Sequence, residues 1–75
     1  MGPSEETERA TRLLVAYWQA NPLAVDTAEG IHQWWIGQAA VTLQALDEAL
    51  QQLVRQGRVT VAQAADGRIR YRWVA

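Results

Sequence analysis

The sequence predicts an α+β domain, a three-helix core followed by a C-terminal β-hairpin. Apolar residues recur every three to four positions in three segments up to Val54, and from Val59 onward the period changes to two. Between those runs fall the breakers Asn21-Pro22, Gly37, Gly57 and Asp66-Gly67, which set the boundaries.

Ser4 precedes Glu5 and Glu6, so a hydroxyl that accepts from an early amide is followed by carboxylates at the positive end of the helix dipole. The first helix carries Ala10, Leu13, Leu14, Tyr17 and Trp18 as one apolar stripe. It ends at Asn21-Pro22, because the residue before a proline is pushed out of helical geometry. Leu23 to Val25 reads as a short extended stretch.

Asp26 is the expected N-cap of the second helix, with Thr27 opening it and Glu29 three residues on completing a capping box. This helix holds Ile31, Trp34, Trp35 and Ile36 and closes at Gly37. Neighbours lie about 100° apart around a helix, so at least one of Trp34 and Trp35 is expected to be only partly covered.

Thr42 caps the third helix, whose Leu43, Leu46, Leu50, Leu53 and Val54 form the clearest amphipathic stripe in the chain. Gly57 stops it, since a left-handed C-cap is easiest for glycine. Beyond it Val59 and Val61 alternate with polar neighbours, Asp66-Gly67 forms a tight turn, and Ile69, Tyr71 and Trp73 alternate with Arg68, Arg70 and Arg72. The hairpin therefore has one apolar face and one arginine face.

At 75 residues the chain fits one domain, expected over 4–75, with residues 1–3 read as a disordered N-terminus or an expression remnant. A domain this small buries only roughly 60% of its unfolded surface, so the four Trp and two Tyr must supply much of the core. With no Cys, neither a disulfide nor a thiolate metal site can staple it. No apolar run is long enough for a membrane span, and the acidic N-terminus is unlike a secretory signal, so a cytoplasmic location without membrane contact is expected.

Net charge is −1, unevenly spread. Residues 1–54 set two arginines against seven carboxylates, while residues 55–75 set five arginines against Asp66 alone. That polarity suggests that the C-terminal end meets something acidic.

Candidates for catalysis are few: Ser4 is the sole serine and His32 the sole histidine. Glu29 and His32, three apart, offer two ligands without a third, so no metal or cofactor is expected. Asp47 and Glu48 are sequence neighbours and diverge around their helix, which makes them poor partners for paired-carboxylate chemistry. The glycines are scattered at helix ends and one turn rather than forming a phosphate-cradling loop. The protein is expected not to be an enzyme and to have no small-molecule substrate.

The run Ala49-Leu50-x-x-Leu53-x-x-x-Gly57-x-Val59, leading into a hairpin with Asp66-Gly67 at its tip, resembles the winged-helix (winged helix-turn-helix) family. The likeness spans nearly the whole chain. It implies that the third helix is a recognition helix, that the hairpin is the wing, and that Leu23 to Val25 pairs with the wing's base. Family members include DNA-binding regulators and protein-interaction modules, so the resemblance implies a fold and leaves two kinds of partner.

The residues favour a protein partner or self-association, a dimer included. The exposed side of the third helix would show Gln44, Asp47, Glu48, Gln51, Gln52 and Arg55, and the acidic pair opposes a polyanion. Trp34 or Trp35 is the candidate aromatic anchor, and Arg58, Arg68, Arg70 and Arg72 are the candidate contacts of the wing. DNA binding by a transcriptional regulator is the alternative: the wing arginines would grip phosphates, and Gln44 or Gln51 would read adenine edges. The plain alternative for the tryptophans is core, and for the arginines a solvated face.

Overall fold

The computed structural model describes residues 4–37 and 39–74; the expected disordered start, residues 1–3, lies outside them. The chain runs α1 (Glu5–Ala20), β1 (Val25–Asp26), α2 (Ala28–Gly30, continuing as a π-helix over Ile31–Ile36), α3 (Leu43–Arg55), β2 (Val59–Gln63) and β3 (Ile69–Trp73). The three strands form one antiparallel sheet in the order β1-β3-β2. The fold is thus α+β, with three helices packed on a small sheet.

Ser4 caps α1 as its sequence implies, its hydroxyl accepting from the Thr7 amide at 3.1 Å. Asn21 closes the helix. Ala10, Leu14 and Trp18 are fully buried, but Leu13 is 36% exposed and leaves the expected stripe at its margin.

The start of α2 differs from expectation by one residue. Thr27 is the N-cap, accepting from the Gly30 amide at 3.1 Å, while the Asp26 carboxylate accepts from the Thr27 amide at 2.7 Å. Val25 and Asp26 pair with Arg72 and Tyr71 of β3, and Thr27 after them is extended too, at φ −75° and ψ 164°, so the first helical residue is Ala28 and the cap falls on Thr27. The third position beyond that cap is Gly30, so Glu29 forms no capping box. A Cβ at Gly30 would collide with the Asp26 carboxylate, which explains a glycine inside the first turn. The strand itself is Val25–Asp26, with Leu23 out in the turn before it.

From Ile31 the helix widens, and the Gly37 amide reaches back five residues to the His32 carbonyl. Sequence periodicity does not distinguish this π geometry from an ordinary helix. Gly37, at φ +94°, ends it.

Thr42 caps α3 by accepting from the Ala45 amide. Leu46, Leu50 and Leu53 are fully buried together with Ala45 and Ala49, whereas Leu43 is 40% exposed. Gly57, at φ +75°, takes the left-handed position that turns the chain into β2.

In the hairpin Val59 pairs with Trp73, Val61 with Tyr71 and Gln63 with Ile69. Val59 and Tyr71 are buried, but Val61, opposite Tyr71 on the edge strand, and Ile69 are about half exposed. The turn is longer than a two-residue dipeptide: the Gly67 amide donates to Ala64 O and the Ala64 amide to Arg68 O. Gly67, at φ +82°, supplies the left-handed residue that follows such a turn. No helix among the described residues is long and apolar enough to cross a membrane.

Candidate interaction site

Gln44, Asp47, Glu48, Gln51 and Arg55 of α3 are all exposed, and Gln52 is half-buried. Within that surface the helical period separates the two carboxylates. Glu48 lies on the edge facing α1, where its Oε2 accepts from the Thr7 hydroxyl at 2.9 Å. Asp47 lies on the edge facing the sheet; its charge and that of Glu29 raise the Tyr71 pKa, second to burial of the phenol itself. Gln44, Gln51 and Arg55 hold the crest between them.

The N-terminal end of α3 is already filled. Glu6 reaches over from α1, its Oε2 accepting from the Thr42 amide at 3.0 Å while the Thr42 hydroxyl meets Oε1 at 3.4 Å. An anionic side chain thus occupies the positive end of the helix dipole, where a phosphate would otherwise find free N–H groups. Beside it is an open polar cleft of about 300 Å³, lined by Ser4, Glu6, Thr7, Thr42 and Glu48 among others. Arg9 comes to the same end, donating to Ala40 O at 3.3 Å. Sequence reasoning assigned Glu6 to the dipole of its own helix and did not anticipate its reach to a second one. A carboxylate at the start of one helix and a Thr cap on another is too common a pattern to single out.

The hairpin arginines occupy the opposite side of the sheet. Side chains alternate along a strand, so with Tyr71 buried among the helices, Arg70 and Arg72 point away from α3. Arg70 pairs with Asp66 at 3.3 Å, an exposed pair of small energetic weight. The Arg68 amide and then the Arg70 guanidinium hold the Asp66 carboxyl below its ordinary range. Arg58 sits 5.4 Å from the centre of the Trp73 ring, a cation–π contact at the hairpin's base. Arg72 lies with Pro22, Leu23 and Trp73 around a shallow groove, and Arg68 projects near the tip. The arginines and the α3 crest therefore do not converge on one groove.

The adjacent tryptophans divide as their spacing requires. Trp35 turns inward, stacking on Tyr17 at 4.4 Å and meeting Trp18 edge-on at 5.1 Å. Trp18 in turn stacks on Trp73 at 5.7 Å and donates its indole N–H to Ala24 O. Trp34 is left 74% exposed, a large aromatic surface in water. Of the two candidate anchors, only Trp34 is free to serve.

The His32 side chain acts locally, with its Nε2 lying 2.7 Å from Val41 O and tying the π-helix to the loop before α3. Among the described residues no three His, Cys, Asp or Glu side chains gather in a way that would hold a metal ion. No protein-family model, curated protein or solved structure matches this chain.

Proposed function

We propose that this chain is a non-catalytic winged-helix module, cytoplasmic, that docks a protein partner. The order helix, short strand, helix, helix, hairpin, with β3 between β1 and β2, supports the winged-helix reading. The observation that carries the functional reading is Trp34, which is 74% exposed while its neighbour Trp35 packs against Tyr17 and Trp18. Exposed aromatics are the side chains that contribute most when buried by a partner. The acidic filling of the α3 N-terminus by Glu6 argues in the same direction, since it repels the phosphates a recognition helix must approach.

The test is affinity capture from the native host with wild type and Trp34→Ala side by side. A partner retained by wild type and lost with Trp34→Ala supports the reading; equal retention removes Trp34 from it. The triple variant Arg68→Ala, Arg70→Ala, Arg72→Ala asks separately whether the hairpin contributes to capturing an acidic partner.

A second reading, DNA binding, is favoured by Arg68 and Arg72, which lack an ion-pair partner among the described residues. Three phosphate contacts from Arg68, Arg70 and Arg72 would give a salt slope of only about −2.7. Fluorescence anisotropy of a labelled random duplex at low salt decides it. No binding at tens of micromolar protein ends this reading, given non-specific affinities of about 10⁻⁴ to 10⁻⁶ M even at physiological salt.

A further inference from the structure

The sheet has two edges, and they are built differently. β1 is two residues long and carries the charged Asp26. β2 has five residues, Val59–Gln63, with no charge, no proline and an unbroken register against β3. Natural sheets protect such edges with lysines, prolines, bulges or covering elements, and β2 has none of these within its span. Thr60, Val61, Ala62 and Gln63 are all exposed.

The ladder determines which main-chain groups face outward. The Ala64 amide donates to Arg68 O and the Val74 amide to Arg58 O, so even-numbered residues of β2 bond inward to β3. In an antiparallel pair the bonding direction alternates, so the N–H and C=O of Val59, Val61 and Gln63 point to the open side. Val59 is only 1% exposed, which leaves Val61 and Gln63 as the accessible donors and acceptors.

We propose that the open edge of β2 pairs antiparallel with β2 of a second copy of this chain, about a two-fold axis at Ala62, joining the two sheets into one. In this register Val61 of each copy exchanges main-chain bonds with Gln63 of the other, about four in all. Ala62 faces Ala62 across the axis, where the close approach of a non-hydrogen-bonded pair suits a small side chain. Between Val59 and Gln63 neither copy brings a charge to the seam, so no like charges oppose the pairing there. The Arg70 and Arg72 rows of the two β3 strands stay three strand spacings apart, about 14 Å, which exceeds the screening length at physiological salt. An edge whose outward hydrogen-bonding groups complement themselves, free of opposing charges, is what a two-fold dimer requires.

An interface made of one strand edge buries less than the roughly 1,600 Å² of a standard one, so the dimer is a weak one that forms only at high protein concentration. Sedimentation equilibrium of the full chain from low micromolar to about 1 mM should show the mass rising from 8.4 kDa toward twice that value. Hydrogen exchange followed by NMR should show the Val61 and Gln63 amides gaining protection with concentration, while those of Thr60 and Ala62 are protected throughout.

Val61→Pro removes one outward donor without touching the bonds to β3, so this variant should stay monomeric with wild-type circular dichroism. Trp34→Ala should dimerise like wild type, which separates this proposal from the docking role of Trp34. A constant 8.4 kDa mass across the range overturns the proposal. So does a rise in mass without protection of Val61 and Gln63, a folded Val61→Pro that still dimerises, or a dimer abolished by Trp34→Ala. The exchange measurement uses the unaltered chain and therefore holds even if Val61→Pro fails to fold.

Discussion

The Thr7 hydroxyl donates to the Glu48 carboxylate at 2.9 Å, bridging the first turn of α1 and the middle of α3. Thr7 is fully buried, and its oxygen also lies 3.0 Å from the Ser4 hydroxyl. A residue that reads as an ordinary member of a helix start is thus a joint between two helices.

Thr7→Val keeps the shape of this side chain and deletes its donor, leaving Glu48 without that hydrogen bond. The expected loss is about 1.5 to 3 kcal/mol, as for a hydrogen bond to a charged acceptor, read from urea denaturation. In a Glu48→Ala background the same change should cost distinctly less, because the acceptor has already gone.

The two ends of the expected leucine stripe should respond differently. Leu50→Ala empties a fully buried position and is expected to cost about 2 to 5 kcal/mol, a large share of the stability of so small a domain. Leu43→Ala, at 40% exposure, should cost less than about 1 kcal/mol. Thermal melts of both variants test the placement of α3 directly; equal losses would mean that the helix is rotated.

Gly67→Val forces a β-branched residue to φ +82° and is expected to cost about 1 to 3 kcal/mol. Gly67→Asn, which tolerates left-handed geometry, should cost clearly less. Loss of hairpin signals by NMR in the valine variant, with the helices retained, would locate the damage.

Tyr71 should ionise above its ordinary value, chiefly because burial disfavours the phenolate, with Asp47 and then Glu29 adding repulsion. Its folded pKa lies above the unfolded one, so its contribution to stability is complete below about pH 10 and is lost as pH rises through the folded value. In a Tyr17→Phe background the ultraviolet phenolate signal should report Tyr71 alone. Asp47→Asn should then move that titration to lower pH; no movement would place Asp47 away from the ring.

Where a position depended on its neighbours in the chain, the sequence was a sound guide. Ser4, Thr42, Gly37, Gly57 and Gly67 act where local backbone chemistry puts them, and Leu46, Leu50 and Leu53 follow the helical period into the core. The departures from expectation share one cause. Asp26 is drawn into a strand against Tyr71 of β3, far along the chain, and the helix starts one residue later than expected, while Leu13, Leu43, Val61 and Ile69 lie where an apolar stripe outruns the surface available to cover it. Periodicity identifies a face but says nothing of how far the opposing element extends.

The candidate site was legible as residue types and not as an arrangement. The sequence by itself determined three amphipathic helices, a hairpin with segregated faces and a basic C-terminal end, because helix caps, turns and side-chain alternation are properties of a few adjacent residues. Only the tertiary structure decided that Trp35 is packed and Trp34 bare, that Glu6 fills the N-terminus of α3, and that the arginines and the α3 crest face different ways. Each of those depends on which surfaces meet across the core, and burial and electrostatics act through space between residues that the chain keeps far apart.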